Sequence, residues 1–152
     1  MNEKTGLKEI FGLLARLAVG GVFVYSGVIK ALASPEEFAY AIESYKVIGA
    51  APALWAAYVV PWVELYAGLL LAAGVFTRWS GLFTGAMLVF FELLLAQALL
   101  RGLPVTSCGC FGAAGSNSLA HEFLQNLVFL ALLWPALFLG RGLSADALVE
   151  EE

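Results

Sequence analysis

Charge is scarce in this sequence. Lysine and arginine number 8 and aspartate and glutamate 12, together 13% of 152 residues, against about 25% in a soluble domain. Histidine occurs once and cysteine twice. Two cysteines build neither a disulfide-stapled scaffold nor a four-thiolate zinc site. The net charge is -4, which leaves no basic footprint for a nucleic acid. Phosphate-binding glycine loops, serine-hydrolase elbows and zinc-protease motifs are all missing. What the chain has instead is apolar residues, 61% of the total, with a mean hydropathy of +0.87. A soluble domain holds about 45–50%. The excess calls for lipid and points to a polytopic membrane protein.

Four apolar stretches reach the roughly 20 residues that a helix needs to cross a bilayer. They cover about 11–33, 52–75, 79–100 and 119–140. Lipid cannot hydrogen-bond an open backbone, so these stretches are expected as helices. Period-two alternation, the mark of a membrane barrel, is absent. The expectation is an all-α, four-helix membrane bundle forming one domain over 1–152. The first stretch also resembles a secretion signal, with Ala31-Leu32-Ala33 in the place of a cleavage site. Lys30 just before that site, and acids among the N-terminal bases, favour a retained span.

Lys4, Lys8, Arg78 and Arg141, with Arg16 close by, fall at one end of the spans. Lys30, Lys46 and Arg101 fall at the other. The positive-inside bias is modest and puts both termini in the cytoplasm. Segments 34–51 and 101–118 then face outward. In a bacterium that side is the oxidising periplasm. Within 34–51, Phe38, Ala41, Ile42, Tyr45 and Ile48 recur at helical spacing. Ser34-Pro35 before Glu36 and Glu37 reads as an N-cap and first turn. A short amphipathic outer helix is expected, lying on the membrane surface or packed over the bundle mouth.

Both cysteines lie in one outward segment, Thr106-Ser107-Cys108-Gly109-Cys110-Phe111-Gly112. A disulfide wants Cα atoms about 4.4–6.8 Å apart, and residues two apart in an extended chain sit near that limit. A Cys108–Cys110 bond therefore needs a turn and carries strain, and strain raises the reduction potential. Three readings stand: a redox-active pair, a two-thiolate site for a soft metal such as copper(I) or mercury(II), or inert thiols. His121, the single histidine, opens the fourth span. It either stabilises a thiolate of the pair or merely marks the interface.

Arg16, Lys30, Glu64 and Glu92 lie inside the spans. A charge near the bilayer centre costs about 2.5–3.5 kcal/mol or more, so such residues pair inwardly or mark a path. Arg16 or Lys30 is expected to meet Glu64 or Glu92, as a structural network, a proton path or a ligand site. Lys30 is also near enough to the outer edge to snorkel out. Gln97, Gln125 and Asn126 can hydrogen-bond between helices, and Gly81 and Gly85 form a GxxxG contact. Trp55, Trp62, Trp79 and Trp134 suit an interfacial belt.

Taken together, three elements resemble the DoxX-like superfamily, and within it the MauE branch of methylamine-utilisation proteins. They are Phe23-x-x-Ser26-Gly27-x-x-Lys30, Glu64 followed by Gly68 and Leu70, and Cys108-Gly109-Cys110-Phe111-Gly112. The resemblance implies a four-helix protein of the bacterial inner membrane. It implies thiol–disulfide oxidoreductase work with a periplasmic thioredoxin-like partner, and a quinone as electron acceptor. Carried over, these roles fall on Cys108 and Cys110, with Lys30 and Glu64 as the matching polar positions. Arg16, Glu92 and His121 match no family pattern, and their supporting roles rest on physics alone. Two other functions fit the same residues. One is capture or transport of a soft metal or a sulfur or selenium species. The other is a membrane assembly factor whose disulfide is incidental.

Overall fold

The computed structural model describes residues 3–105, 118–139 and 144–150. These form six helices: α1 (Glu3–Leu32), α2 (Pro35–Ser44), α3 (Ala50–Ala73), α4 (Thr77–Leu100), α5 (Leu119–Phe138) and α6 (Ala145–Glu150). There is no strand among the described residues. Parts or all of α1, α3, α4 and α5 are long and apolar enough to cross a membrane. The protein is an all-α polytopic bundle. Its large exposed side chains, Trp55, Trp62, Trp79 and Trp134 among them, point away from the core. In water such a surface would aggregate; in lipid it is the expected exterior.

Glycines set the spacing of α1 against α3, the most intimate pair. A Cβ added at Gly27 would lie 2.6 Å from the Pro61 carbonyl oxygen, and one at Gly68 would lie 2.7 Å from that of Gly20. The two backbones touch, as small residues permit between membrane helices. Gly81 and Gly85 of α4 instead leave room for side chains of α5, where Leu137 and Leu133 fill the space a Cβ would need. Between these contacts lies an apolar cluster of Val19, Phe23, Leu71, Leu88 and Leu133.

Ser34 caps α2 and accepts a hydrogen bond from the Glu37 amide at 3.3 Å, with Pro35 opening the helix and Glu36 and Glu37 in its first turn. That is the pattern read from the sequence. Phe38, Ala39 and Ala41 pack on Ala53 and Ala57 of α3. Tyr45, just past the helix, packs on Leu95 and Ala98 of α4. So α2 lies against the bundle. Since α1, α3, α4 and α5 alternate in direction, α2, the end of α4 and the start of α5 share one end. The α3–α4 turn and α6 share the other.

Of the expected pairings the structure makes Lys30 with Glu64, and Arg16 stands at the α6 end. Arg16 meets neither Glu64 nor Glu92. Its side chain is 1% exposed and lies beside Gly74, where an added Cβ would be 2.9 Å from the guanidinium carbon. Gly74 ends α3 with φ 71°, a left-handed conformation that glycine adopts without strain. Arg16 acts electrostatically on Asp146, a residue the sequence gave no reason to single out. Asp146 accepts from the amides of Phe76 (2.8 Å) and Thr77 (2.7 Å) and so caps α4 from a distance.

Burial works to raise the Asp146 pKa. The contacts to Thr77 and Phe76 and the charge of Arg16 outweigh it and hold the carboxyl below its ordinary range. A depressed value means that the cap stabilises above the unfolded pKa, about 3.9, and is lost as pH falls through the folded value. Asp146→Ala is expected to cost about 0.5–1 kcal/mol, the low side of the range for caps because the carboxyl is solvent-screened. Amide exchange at Phe76 and Thr77, corrected for its intrinsic pH dependence, should accelerate in the variant. It should also accelerate in the parent chain in acid.

Candidate functional site

The helical repeat puts Arg16, Val19, Phe23, Ser26 and Lys30 on one buried stripe of α1. Ala53, Ala57, Pro61, Glu64, Gly68 and Leu71 form the facing stripe of α3. Where the stripes meet, Lys30 Nζ donates to both oxygens of Glu64, at 2.6 and 2.8 Å. Ser26 Oγ donates to Glu64 Oε2 at 3.0 Å. Lys30 and Glu64 are 3% and 2% exposed. Lys30 does not snorkel outward, because glycine-spaced backbones bring the carboxylate within its reach. Its ammonium also lies 5.0 Å from the ring centre of Phe38 and 5.4 Å from that of Phe91, within cation–π range. One ammonium thus ties α1 to α2, α3 and α4.

Beside this pair is a cavity of about 50 Å³ between α1, α3, α4 and α5. Its polar lining is Ser26, Glu64, Glu122, Gln125 and Asn126. Its apolar lining includes Phe23, Leu88, Phe91, Leu95 and Phe129. Glu122, 5% exposed, stands in the first turn of α5. It went unread in the sequence, although a signal was there: 122, 125, 126 and 129 follow the i, i+3, i+4, i+7 rule of a single helix face.

The other expected residues are placed apart from this pair. Glu92 bonds to Asn126, whose Nδ2 donates to Glu92 Oε2 at 2.6 Å and to the Leu88 carbonyl at 3.0 Å. Glu92 Oε1 is buried with no hydrogen-bond partner among the described residues. Gln97 Nε2 donates to the Tyr45 carbonyl at 3.3 Å, joining α4 to the end of α2. His121 is exposed; its backbone amide donates to the capping hydroxyl of Ser118 at 3.3 Å. Cys108 and Cys110 lie outside the described residues. The chain flanking them is anchored: Leu103, Val105, Leu119 and Phe123 pack around Tyr45, Leu95 and Ala98.

Asn126→Ala is expected to cost about 0.6–1.7 kcal/mol, the span measured for interhelical hydrogen bonds in membranes. The loss should fall toward zero in an Asn126→Ala, Glu92→Leu double variant, because no carboxyl then remains to satisfy. Unfolding in mixed micelles would measure both.

The family model described as methylamine utilisation protein MauE matches residues 8–139. That range holds the Lys30–Glu64 pair, the lining of the cavity and both cysteines. The comparison with curated proteins found no match, and neither did the comparison with solved structures.

Proposed function

We propose, from the premise that this chain belongs to the MauE family of methylamine-utilisation membrane proteins, that it is the membrane subunit of a thiol–disulfide exchange system. The observation that carries the reading is placement. The chain's two cysteines fall in sequence between α4 and α5, and the described chain on either side of them packs at the end that α2 covers. A partner would meet them at the rim of the membrane.

The exchange balances without further reagents. The thiolate of one cysteine attacks a partner disulfide, forming a mixed disulfide and expelling a partner thiolate. The second cysteine then attacks the mixed disulfide, closing the Cys108–Cys110 bond and releasing the second partner thiolate. Two electrons pass to the partner, and the two expelled thiolates take protons from water. The reverse sequence oxidises a partner dithiol, and the relative potentials set the direction. A thioredoxin-like fold is the partner that the family resemblance implies. With no second cysteine pair to relay electrons, a lipid-soluble acceptor such as a quinone must approach this same end. An apolar slot of about 130 Å³ there, walled in part by Phe38, Tyr45, Phe90 and Phe91, is the surface such a molecule would meet. The periplasm is the side on which we place this end, and the bacterial inner membrane is the location.

Alkylation with mass shift across defined glutathione poises tests the reading. A reversible pair with a potential well above the roughly -300 mV of structural disulfides supports it. Cys108→Ser and Cys110→Ser should each abolish closure of the bond, and the variant retaining the attacking cysteine should trap the mixed disulfide. A pair that stays reduced at every poise would overturn exchange and favour capture of a soft metal by two thiolates.

A further inference from the structure

The cavity described above carries an inference that stands independently of the cysteines. Its void is large enough for water, which needs about 10–15 Å³ for one probe sphere and two to four polar partners. Ser26, Glu64, Glu122, Gln125 and Asn126 supply such partners from three helices. Carboxyl groups that face a cavity inside a membrane characteristically mark proton or ion paths. An oxygen cage for a metal ion is not built here: no group of three or more His, Cys, Asp or Glu side chains that could hold one occurs among the described residues. Most of the cavity wall is apolar. Such a wall suits water and a carboxyl that gains or loses a proton better than it suits a hydrated ion.

The cavity also has a direction. Glu122 stands in the first turn of α5 at the α2 end, and Glu64 lies deeper, beyond the middle of α3. Toward the α6 end the cluster of Val19, Phe23, Leu71, Leu88 and Leu133 closes the bundle with apolar side chains. We propose that the cavity is a hydrated half-channel that binds protons, exchanging them with the α2 end through Glu122 and passing them by water to Glu64. The step moves protons alone. The Glu122 carboxylate takes a proton from a cavity water, which regains one from solvent, and the carboxyl then gives it through water to the Glu64 carboxylate. The titratable groups around the path are Lys30 on α1, Glu64 on α3, Glu92 on α4, and Glu122 with the exposed His121 on α5.

Two measurements on the full chain in lipid test this. Hydroxyl-radical footprinting reads internal water. Leu88, 3% exposed and lining the cavity, should be labelled several-fold faster than Leu133, 7% exposed and outside it. Infrared difference spectra between acid and neutral buffer read the proton. The carboxyl C=O absorption that downshifts in deuterated water should contain, in the parent chain, a component that is lost in Glu122→Gln. The same result is expected with both cysteines replaced by serine, so failure of the thiol reading leaves it untouched. Leu88 labelling no faster than Leu133 would overturn the proposal, whether or not Glu122→Gln folds. So would a carboxyl absorption unchanged in shape and size in a folded Glu122→Gln variant.

Discussion

Replacing Lys30 by methionine is expected to destabilise the bundle by about 3–5 kcal/mol, the cost of breaking a buried ion pair by removing one partner. The size follows from what remains. Glu64 is 2% exposed and among the described residues would keep the Ser26 hydroxyl at 3.0 Å, with no cation left to balance its charge. The ammonium also lies against Phe38 and Phe91, so its loss loosens α2 and α4 as well as the α1–α3 seam. Replacing both charges, in Lys30→Met with Glu64→Met, should recover most of the loss, because an apolar pair of similar volume leaves nothing unsatisfied. Unfolding of the two single variants and the double variant in mixed micelles closes a double-mutant cycle. A Lys30→Met cost below about 1 kcal/mol, the scale of a solvated surface pair, would contradict the buried geometry.

That pair shows how much was legible in the sequence and where legibility ended. Hydropathy and length located all four spanning helices, since lipid leaves a long apolar stretch little choice but helix. The Ser34-Pro35-Glu36-Glu37 start of α2 was legible because capping is local chemistry. The rest depends on which faces meet. Sequence narrowed the partners to Arg16 or Lys30 with Glu64 or Glu92. The choice of Lys30 with Glu64 came from the register in which the α1 and α3 glycines interlock. Arg16 lies two helical turns and more from that contact, and it meets the α3–α4 turn and Asp146 instead. Asp146 caps a helix 69 positions upstream, and no window along the chain reveals a cap at that distance. Glu122 was readable as the head of a polar stripe on α5. It was overshadowed by His121 next to it, a residue whose chemistry draws attention but whose side chain faces outward.

The same register makes Gly27→Leu the second large effect to expect, a loss of more than the about 1–3 kcal/mol typical of overpacking. The first atom added is already too close. A Cβ there would sit 2.6 Å from the Pro61 carbonyl oxygen and 2.8 Å from the Leu65 amide nitrogen. Both are backbone atoms of α3 and cannot rotate aside, so the helices must separate. Alanine should cost about 1–3 kcal/mol by that means, and leucine adds bulk that the seam cannot take. Gly21 is the control. It lies on the same helix, but nothing stands within 4 Å of its added Cβ. Gly21→Ala should therefore be neutral or stabilising by up to about 1 kcal/mol through helix propensity. Separation at Gly27 has a chemical consequence too, because Ser26 and Lys30 flank it within one turn. Pushing α1 off α3 pulls Lys30 Nζ from its 2.6 Å contact with Glu64. Gly27→Leu and Lys30→Met should then be strongly non-additive, since each removes the same ion pair. Additive losses would mean that the glycine seam and the ion pair hold the bundle separately.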